Sequence, residues 1–562
     1  MSPKSTAASP AVDGAEGAPI ADPPSAQMRW NGWGDPVLAK GLPLAVRALL
    51  PMRLGRTQRP EAAPAIGEVV VAPSRLDATD LGQLREIVGE AFVAVDEESR
   101  IRHAGGRSTA DLLRRRERQQ RTPDGVVSPA SHEQVLAVLR LASDLGIAVI
   151  PFGGGTSVVG ALDPERGRHR SVIALDLRRL SGLLHLDETS GEARLLAGTT
   201  GPEAERLLLE HGFELGHFPQ SFLYATLGGF AAARSSGQNS AGNGRFDTMV
   251  LGMRVATPNG EFSLGVAPGS SVGPDLTRLF LGSEGVFGVI TELVLRVHRA
   301  PEARRCEGWT FPDFQAGARA LRMVAQLGAG PTVIRLSDKA ETAVSLAQHG
   351  RIGKALSKGC SAIAVFEGDA DGVRARQEHT ARILAAAGGV SAGPEPAESW
   401  IRGRFGAPYL RDSLLDHGVF CETLETATGW SNIDRLKRET TEAIERGFDE
   451  RGAKCMVLCH ISHVYPTGAA LYFTIIAGLA GMPEEQLESW QGVKSGVNDA
   501  ILGGGGTLSH HHGVGRDHAP WLQREIGEAG VRVLRAVKAE LDPRGIMNPG
   551  ALLPVEAGAG ER

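Results

Sequence analysis

The heptapeptide Pro151-Phe152-Gly153-Gly154-Gly155-Thr156-Ser157 follows directly on the short apolar run Ala148-Val149-Ile150, and three consecutive glycines at that point leave the chain few options. Without Cβ atoms the backbone can turn sharply at the end of a buried strand and aim several N–H groups at one anion. Thr156 and Ser157 add hydroxyl donors. The loop lacks the Gly-Lys-Ser/Thr ending of a Walker loop. It also lacks the G-x-G-x-x-G spacing, and the helix that spacing opens, of a dinucleotide fingerprint. Standing alone it reads as a plain glycine turn.

Two further segments share its character. About 60 residues on, Gly216-His217-Phe218-Pro219-Gln220-Ser221, Ala225-Thr226-Leu227-Gly228-Gly229 and Ala233-Arg234-Ser235-Ser236-Gly237 form a run dense in small and polar residues, offering backbone donors and the Arg234 guanidinium to a phosphate-bearing ligand. Then Gly282-Ser283-Glu284-Gly285-Val286-Phe287-Gly288 precedes the alternating strand that begins at Val289-Ile290.

With 562 residues the chain has room for about three folded units. Its 42% hydrophobic and 22% charged content is that of a globular protein, and a net charge of −5 gives no global field for nucleic acid. The Arg114-Arg115-Arg116 cluster reads as a solvated helix face. Five dispersed cysteines suit a reducing compartment, and Cys455 and Cys459 have no second pair to complete a zinc site. No apolar run approaches the roughly 20 residues needed to span a bilayer. The expectation is a cytoplasmic protein whose contact with a membrane, if any, is peripheral.

The organisation expected is a disordered tail over 1–28, a helical region over 29–120, and a first domain over 121–300. A second α+β domain covers 301–505, a C-terminal segment runs over 506–553 with a helix at Ala519–Leu541, and a second tail covers 554–562. In the first domain, helical spacing of Val135, Val138, Leu139 and Leu141 predicts a helix over Ser131–Leu145, followed by a strand at Ala148–Pro151. Strands are also predicted at Ser171–Leu177, Ala193–Ala197, Val250–Thr257 and Val289–Val297. No repeat of fixed period is visible.

The three glycine-rich pieces, in this order and with the terminal Asp542-Pro543…Asn548-Pro549-Gly550, resemble the flavin-binding domain of the vanillyl-alcohol-oxidase family, the PCMH-type FAD domain. The resemblance implies an α+β fold: a two-subdomain FAD-binding domain, a substrate (cap) domain, a helical lead-in and a C-terminal segment returning to the flavin. It implies that Pro151–Ser157 wraps the diphosphate of FAD. The rest of the cofactor would be lined by His217, Gln220, Ser221, Ala225, Thr226, Gly229, Ala233, Arg234, Ser235 and Ser236, and by Gly282, Ser283, Glu284, Gly285, Val286, Phe287, Gly288, Val289 and Ile290.

Within that family, Trp30–Asp35, Thr332–Asp338, Tyr409–Asp412, Cys459–Tyr465 and Ser509–Gly515 are similar to the alkyl-dihydroxyacetonephosphate synthase family. Three adjacent histidines cannot all reach one metal, because neighbouring side chains diverge, so no metal is expected at His510-His511-His512. A polar surface turn is the bland reading. Flanking glycines nevertheless allow chosen imidazoles to face a cavity, and imidazole suits proton transfer. The resemblance makes this triplet catalytic. Tyr472 sits in an apolar strand, where a tyrosine is ordinarily core with a satisfied hydroxyl, and the resemblance makes it the proton-transferring residue. Arg411 reads either as a surface ion pair with Asp412 or, by resemblance, as the substrate-phosphate ligand. Arg335 and His217 match positions that support the site, and Arg335 is placed with the substrate ligands.

The implied activity is exchange of the acyl group of 1-acyl-dihydroxyacetone phosphate for a long-chain fatty alcohol, a step of ether lipid synthesis, through an adduct at flavin N5, in a homodimer. The alternative is an FAD-linked 2-hydroxy-acid dehydrogenase of the glycolate or D-lactate type. Those enzymes carry a His-x-Gly-Asp-Gly-Asn-x-His motif, where this chain has His463-Val464-Tyr465-Pro466-Thr467-Gly468-Ala469-Ala470, without the acidic residue or the closing histidine. A third reading is a flavin- or lipid-binding protein without catalysis. The C-terminal residues Ala557–Arg562 do not form a peroxisomal tripeptide.

Overall fold

The computed structural model describes residues 27–554 apart from 40, 43, 56–61, 266 and 349–358. The two expected tails lie outside the described residues except for Gln27, Met28 and Pro554. Met28 is buried, and its sulfur accepts a hydrogen bond from Arg107 Nε at 3.0 Å.

Sheets of four, five and seven strands carry the fold. In the first, Gly125–Val127, Ser171–Asp176 and Ile147–Phe152 run parallel in that spatial order. Ser171–Asp176 is buried along its whole length, as a parallel strand covered on both faces must be. The crossover helix His132–Leu145 starts where the Ser131 side chain accepts the Gln134 N–H and stops at Gly146, whose φ of 66° a side chain would resist. Its Val135, Val138, Leu139 and Ala142 face the sheet and are fully buried. The first unit begins earlier than expected. Val93–Ala94 pairs antiparallel with Gly125–Val127, and Leu84 and Val88 of helix Ala78–Val88 share the core of helix His132–Leu145. Residues from Leu76 onward thus belong to this lobe, because its outer face needs a second helix to be covered.

The second lobe is an antiparallel sheet in the order Gly260–Leu264, Val250–Thr257, Val289–Arg296, Glu192–Leu196, Leu183–Asp187. The third sheet is antiparallel throughout, in the order Val390–Gly393, Ala303–Phe311, Cys360–Gly368, Val333–Ser337, Cys455–Val464, Gly468–Ala477, Phe420–Gly429. It contains a repetition that the sequence does not show. Strand, helix, strand, strand, helix runs from Phe420 to Gly503, and the same order runs from Ala303 to Ala386 with one more helix, Lys339–Gln348, between its second and third strands; Val333–Ser337 and Cys455–Val464 meet at the centre. One face of the second half packs Leu424, Cys459, Ile461, Leu471, Phe473 and Ile475 against helices Ile433–Asp449 and Pro483–Gly503. Strand alternation sends the intervening residues to the opposite face.

After helix Leu522–Leu541 the chain returns to the first sheet: Val149 N–H donates to Ile546 O and Asn548 N–H to Val149 O, both at 2.9 Å. No helix among the described residues is long and apolar enough to cross a membrane.

Candidate functional site

The glycine loop sits where three elements meet. A Cβ at Gly153 would strike the Thr226 hydroxyl, one at Gly154 the Tyr224 carbonyl, and one at Gly285 the Pro151 ring at 2.7 Å. Gly155, with φ 69°, lies against the Phe152 ring. None of the backbone N–H groups of Gly153–Ser157 has a protein acceptor among the described residues, so the donors that the sequence promised are free for an anion. Thr226 caps helix Leu227–Ala233 by accepting the Gly229 N–H at 3.3 Å, and the Ala225 carbonyl accepts from Gly201. Gln220 Nε2 and His217 Nδ1 are buried without a partner. Orphaned donors beside a cradle that any side chain would fill are what a dinucleotide such as FAD requires, and the residues present fit it.

The remaining residues of the second and third pieces divide into lining and support. His217 is buried with Nε2 3.2 Å from Ser235 Oγ, and burial pushes its pKa down to about 3. Ser221 closes a turn by accepting from Tyr224 and Ala225, and Ala233 and Ser236 follow around the helix end. Arg234 takes up a left-handed conformation and spends its guanidinium on buried Asp247 at 2.8 Å, with its stem against Gly282. Ser283 Oγ donates to Phe280 O. Val286, Phe287 and Ile290 lie in the core of the second lobe, Val289 in that of the first, and Gly288 packs against the Ala256 carbonyl. Glu284 does more than sequence suggested. Its carboxylate accepts the N–H groups of Val514 at 2.9 Å and Gly515 at 2.6 Å, fixing the loop that follows the histidine triplet. Burial raises its pKa to about 7, against the pull of those two N–H groups.

The cap sheet supplies one face of the candidate site. In the register of its last strands Tyr472 stands opposite His460 on one side and Glu425 on the other. The three side chains therefore share a face. His463, three residues from His460, would point the other way in a regular strand, but the register slips between Ile461 and His463. This bulge returns His463 to the shared face, where its ring lies 4.9 Å from that of His510 and its Nε2 is 3.0 Å from Gly237 O.

Glu425, which sequence reasoning missed, organises the triplet. Its buried carboxylate accepts the backbone N–H groups of His510 (2.7 Å), His511 (3.0 Å) and His512 (2.9 Å), and the Ser509 hydroxyl (2.8 Å). Burial alone would raise its pKa, but the rings of His511, His512 and His510 around it hold it well below the ordinary carboxylate value. The His511 ring lies parallel to Tyr472 with centroids 6.0 Å apart, and His512 meets Tyr472 edge-on at 5.7 Å. Burial pushes Tyr472 up to about 12 and His512 down to about 3. The ring nitrogens of His463, His510 and His511 fall within 4.8 Å of one another. They form a hydrogen-bonded network: His510 Nδ1 pairs with His511 Nδ1 at 2.9 Å, His510 Nε2 with Tyr465 OH, and His463 with Gly237 and Ser462.

Arg335, placed with the substrate ligands on sequence, is committed elsewhere: it pairs with Glu341 at 2.9 Å, and Glu341 holds His460 Nδ1 at 2.9 Å. It reaches Tyr472 only through His460, whose ring stacks on the tyrosine at 5.0 Å. Arg411 is largely covered and not a free surface residue, its side chain 12% exposed. It pairs with Asp412 at 3.0 Å and donates to Arg107 O, in a group that includes the buried guanidiniums of Arg107 and Arg115. The N-terminal block braces it, since Trp33 N–H donates to Asp412 and Asp35 N–H to Tyr409 OH.

Comparison with known proteins shows the family of the chain. Residues 123–263 match the FAD binding domain model, and residues 300–552 the model of the C-terminal domain of FAD linked oxidases. The alkyldihydroxyacetonephosphate synthase of Trypanosoma brucei brucei is 33% identical over 94% of this chain and 92% of its own, and that of Dictyostelium discoideum 32% over 94% of both. The glycolate oxidase subunit GlcD of Bacillus subtilis is 24% identical over 78% of this chain and 90% of its own. A solved alkyldihydroxyacetonephosphate synthase superposes with a TM-score of 0.78 at 30% identity, covering 93% of this chain and 98% of that one. For p-cresol methylhydroxylase the TM-score is 0.64 at 16% identity, with 84% and 96% covered, which bears on fold alone.

Proposed function

The chain belongs to the FAD-linked oxidases with a PCMH-type FAD-binding domain, and from that premise we propose that it exchanges the acyl group of 1-acyl-dihydroxyacetone phosphate for a long-chain alcohol. The observation that carries the reading is the setting of Tyr472, stacked between His460 and His511 beside a histidine triplet that Glu425 holds by its backbone. That is a proton-handling cluster. Where hydroxy-acid dehydrogenases have an acidic residue and a second histidine, this chain has Pro466 and Ala470.

FAD, when bound, supplies the flavin ring at which C1 of the substrate changes its oxygen substituent without net oxidation. Tyr472 moves the C1 proton. The C1–O bond to the acyl group breaks and the fatty acid leaves with a proton given to its departing oxygen by His511. The alcohol oxygen forms the new C1–O bond, and its proton passes to His511 and its neighbours. Arg411, with Arg107 and Arg115 beside it, binds the substrate phosphate, for which a guanidinium fork is well shaped. We assign the active form to a cytoplasmic homodimer that meets membrane lipids only peripherally.

The test supplies acyl-dihydroxyacetone phosphate with and without hexadecanol and follows fatty acid release. Release that requires the alcohol supports exchange. Bleaching of the flavin by glycolate or D-lactate, with no alcohol-dependent release, would show a dehydrogenase.

A further inference from the structure

Tyr465 stands at the turn of the hairpin that carries His460, His463 and Tyr472. Its neighbours Pro466 and Thr467 are exposed, and Tyr465 itself is half-buried. The backbone there is pinned: Tyr465 N–H donates to Gly468 O at 2.8 Å, and Trp430 Nε1 donates to Tyr465 O at 2.9 Å. The phenol oxygen lies 2.5 Å from His510 Nε2. His510 is buried, and its other nitrogen faces His511 Nδ1 at 2.9 Å. His511 Nδ1 in turn lies 3.4 Å from Glu425 Oε2. Arg245, Asp247 and Ser236 surround the phenol from the flavin lobe, and His463 flanks His510.

Two neutral imidazoles that meet through Nδ1 share one proton in that contact, so their tautomers are locked together. When Tyr465 donates to His510 Nε2, His510 carries its proton on Nδ1 and donates it to His511, which must then carry its own on Nε2. When Glu425 instead attracts a proton to His511 Nδ1, every bond in the chain reverses and His511 Nε2 is bare. The first state makes His511 an acid and the second makes it a base.

We propose that Tyr465 is the positioning residue that sets this shared tautomer and connects the buried His510–His511 pair to solvent. In one transfer His511 Nε2 gives its proton to the reacting group and gains one at Nδ1 from His510. His510 gains one at Nε2 from Tyr465, and the phenol is reprotonated by solvent. One proton enters and one leaves, and no oxidant is needed. The catalytic use of this relay rests on the exchange reading above, whereas the tautomer coupling does not.

The experiment compares 15N-histidine spectra of the holoenzyme and Tyr465→Phe, with His510→Gln and His511→Gln used to assign the signals. In the wild type His510 is expected protonated at Nδ1 and His511 at Nε2. In Tyr465→Phe both should move together to the opposite tautomer, with kcat for exchange at least tenfold lower, KM unchanged and a smaller solvent deuterium isotope dependence on the relay. Should that variant fail to fold, 3-fluorotyrosine in place of Tyr465 keeps the shape, strengthens the donor and should enrich the wild-type tautomers. Unchanged tautomers in Tyr465→Phe, or loss of the wild-type tautomers in the 3-fluorotyrosine protein, would overturn the proposal. Shifted tautomers in an enzyme that performs no exchange would retain the coupling and reject the function.

Discussion

At the residue scale, Tyr472 owes its chemistry to register. One strand places Glu425 beside it and the other His460, and the triplet closes over it because Glu425 draws three consecutive N–H groups onto one carboxylate. Tyr472→Phe keeps the ring and removes only the proton donor. It should lower the exchange rate by about 10²–10⁴-fold, the range for loss of a general acid or base, with the FAD content of the purified protein unchanged. His512 gives a pH prediction. Burial lowers its pKa from 6.5 to about 3, so between those values the unfolded chain binds a proton that the folded chain refuses. The contribution of this neutral histidine is complete above 6.5 and declines as pH falls toward 3, by about 1.4 kcal/mol per pH unit. Denaturant titrations of His512→Gln across pH 4–6.5 should therefore show a pH slope shallower by about that amount than the wild type. Equal slopes would mean that the ring is protonated in the fold.

At the element scale, the glycine loop is a close approach and not a flexible linker. Gly154→Ala drives a methyl into the Tyr224 carbonyl, so the loop must shift away from helix Leu227–Ala233. The ratio of flavin to protein absorbance after purification should fall at least tenfold relative to wild type, while the circular dichroism stays that of the folded chain. This loop was legible because its constraint is local: three glycines after an apolar run have few structural uses. The cap-domain site was legible only in part. His460 and His463 share a face through a bulge, which breaks the period-two rule on which sequence reading depends. Glu425 looks like any strand glutamate, since the N–H groups that give it purpose lie about 85 residues away. Arg335 was visible as a charge, but its commitment to Glu341 needs the helix at Lys339–Gln348 to be in place. Residues before the boundary at 121 were harder to place for a related reason: Leu76, Leu84 and Val93 lie buried in a core whose other half comes after it.

At the scale of the whole molecule, the lobes are sewn together at the site itself. Glu284 of the flavin lobe holds Val514 and Gly515, Asn548 donates to both Ala161 O and Glu284 O, and His463 of the cap meets Gly237. The histidine triplet is thereby fixed against the flavin-binding pieces by residues from the far end of the chain. The repeated strand–helix order of the cap provides one continuous sheet from which Arg335, His460, Tyr472 and Glu425 all project. What this assembly should do is replace one oxygen substituent at C1 by another without net oxidation. The most direct measurement supplies acyl-dihydroxyacetone phosphate with 18O-labelled hexadecanol under anaerobic conditions, recording the flavin spectrum and the mass of the product. The account predicts one labelled oxygen retained in the alkyl product, one fatty acid released per ether formed, and a flavin still oxidised at the end. An unlabelled product, or a flavin reduced by 2-hydroxy acids with no ether formed, would contradict it.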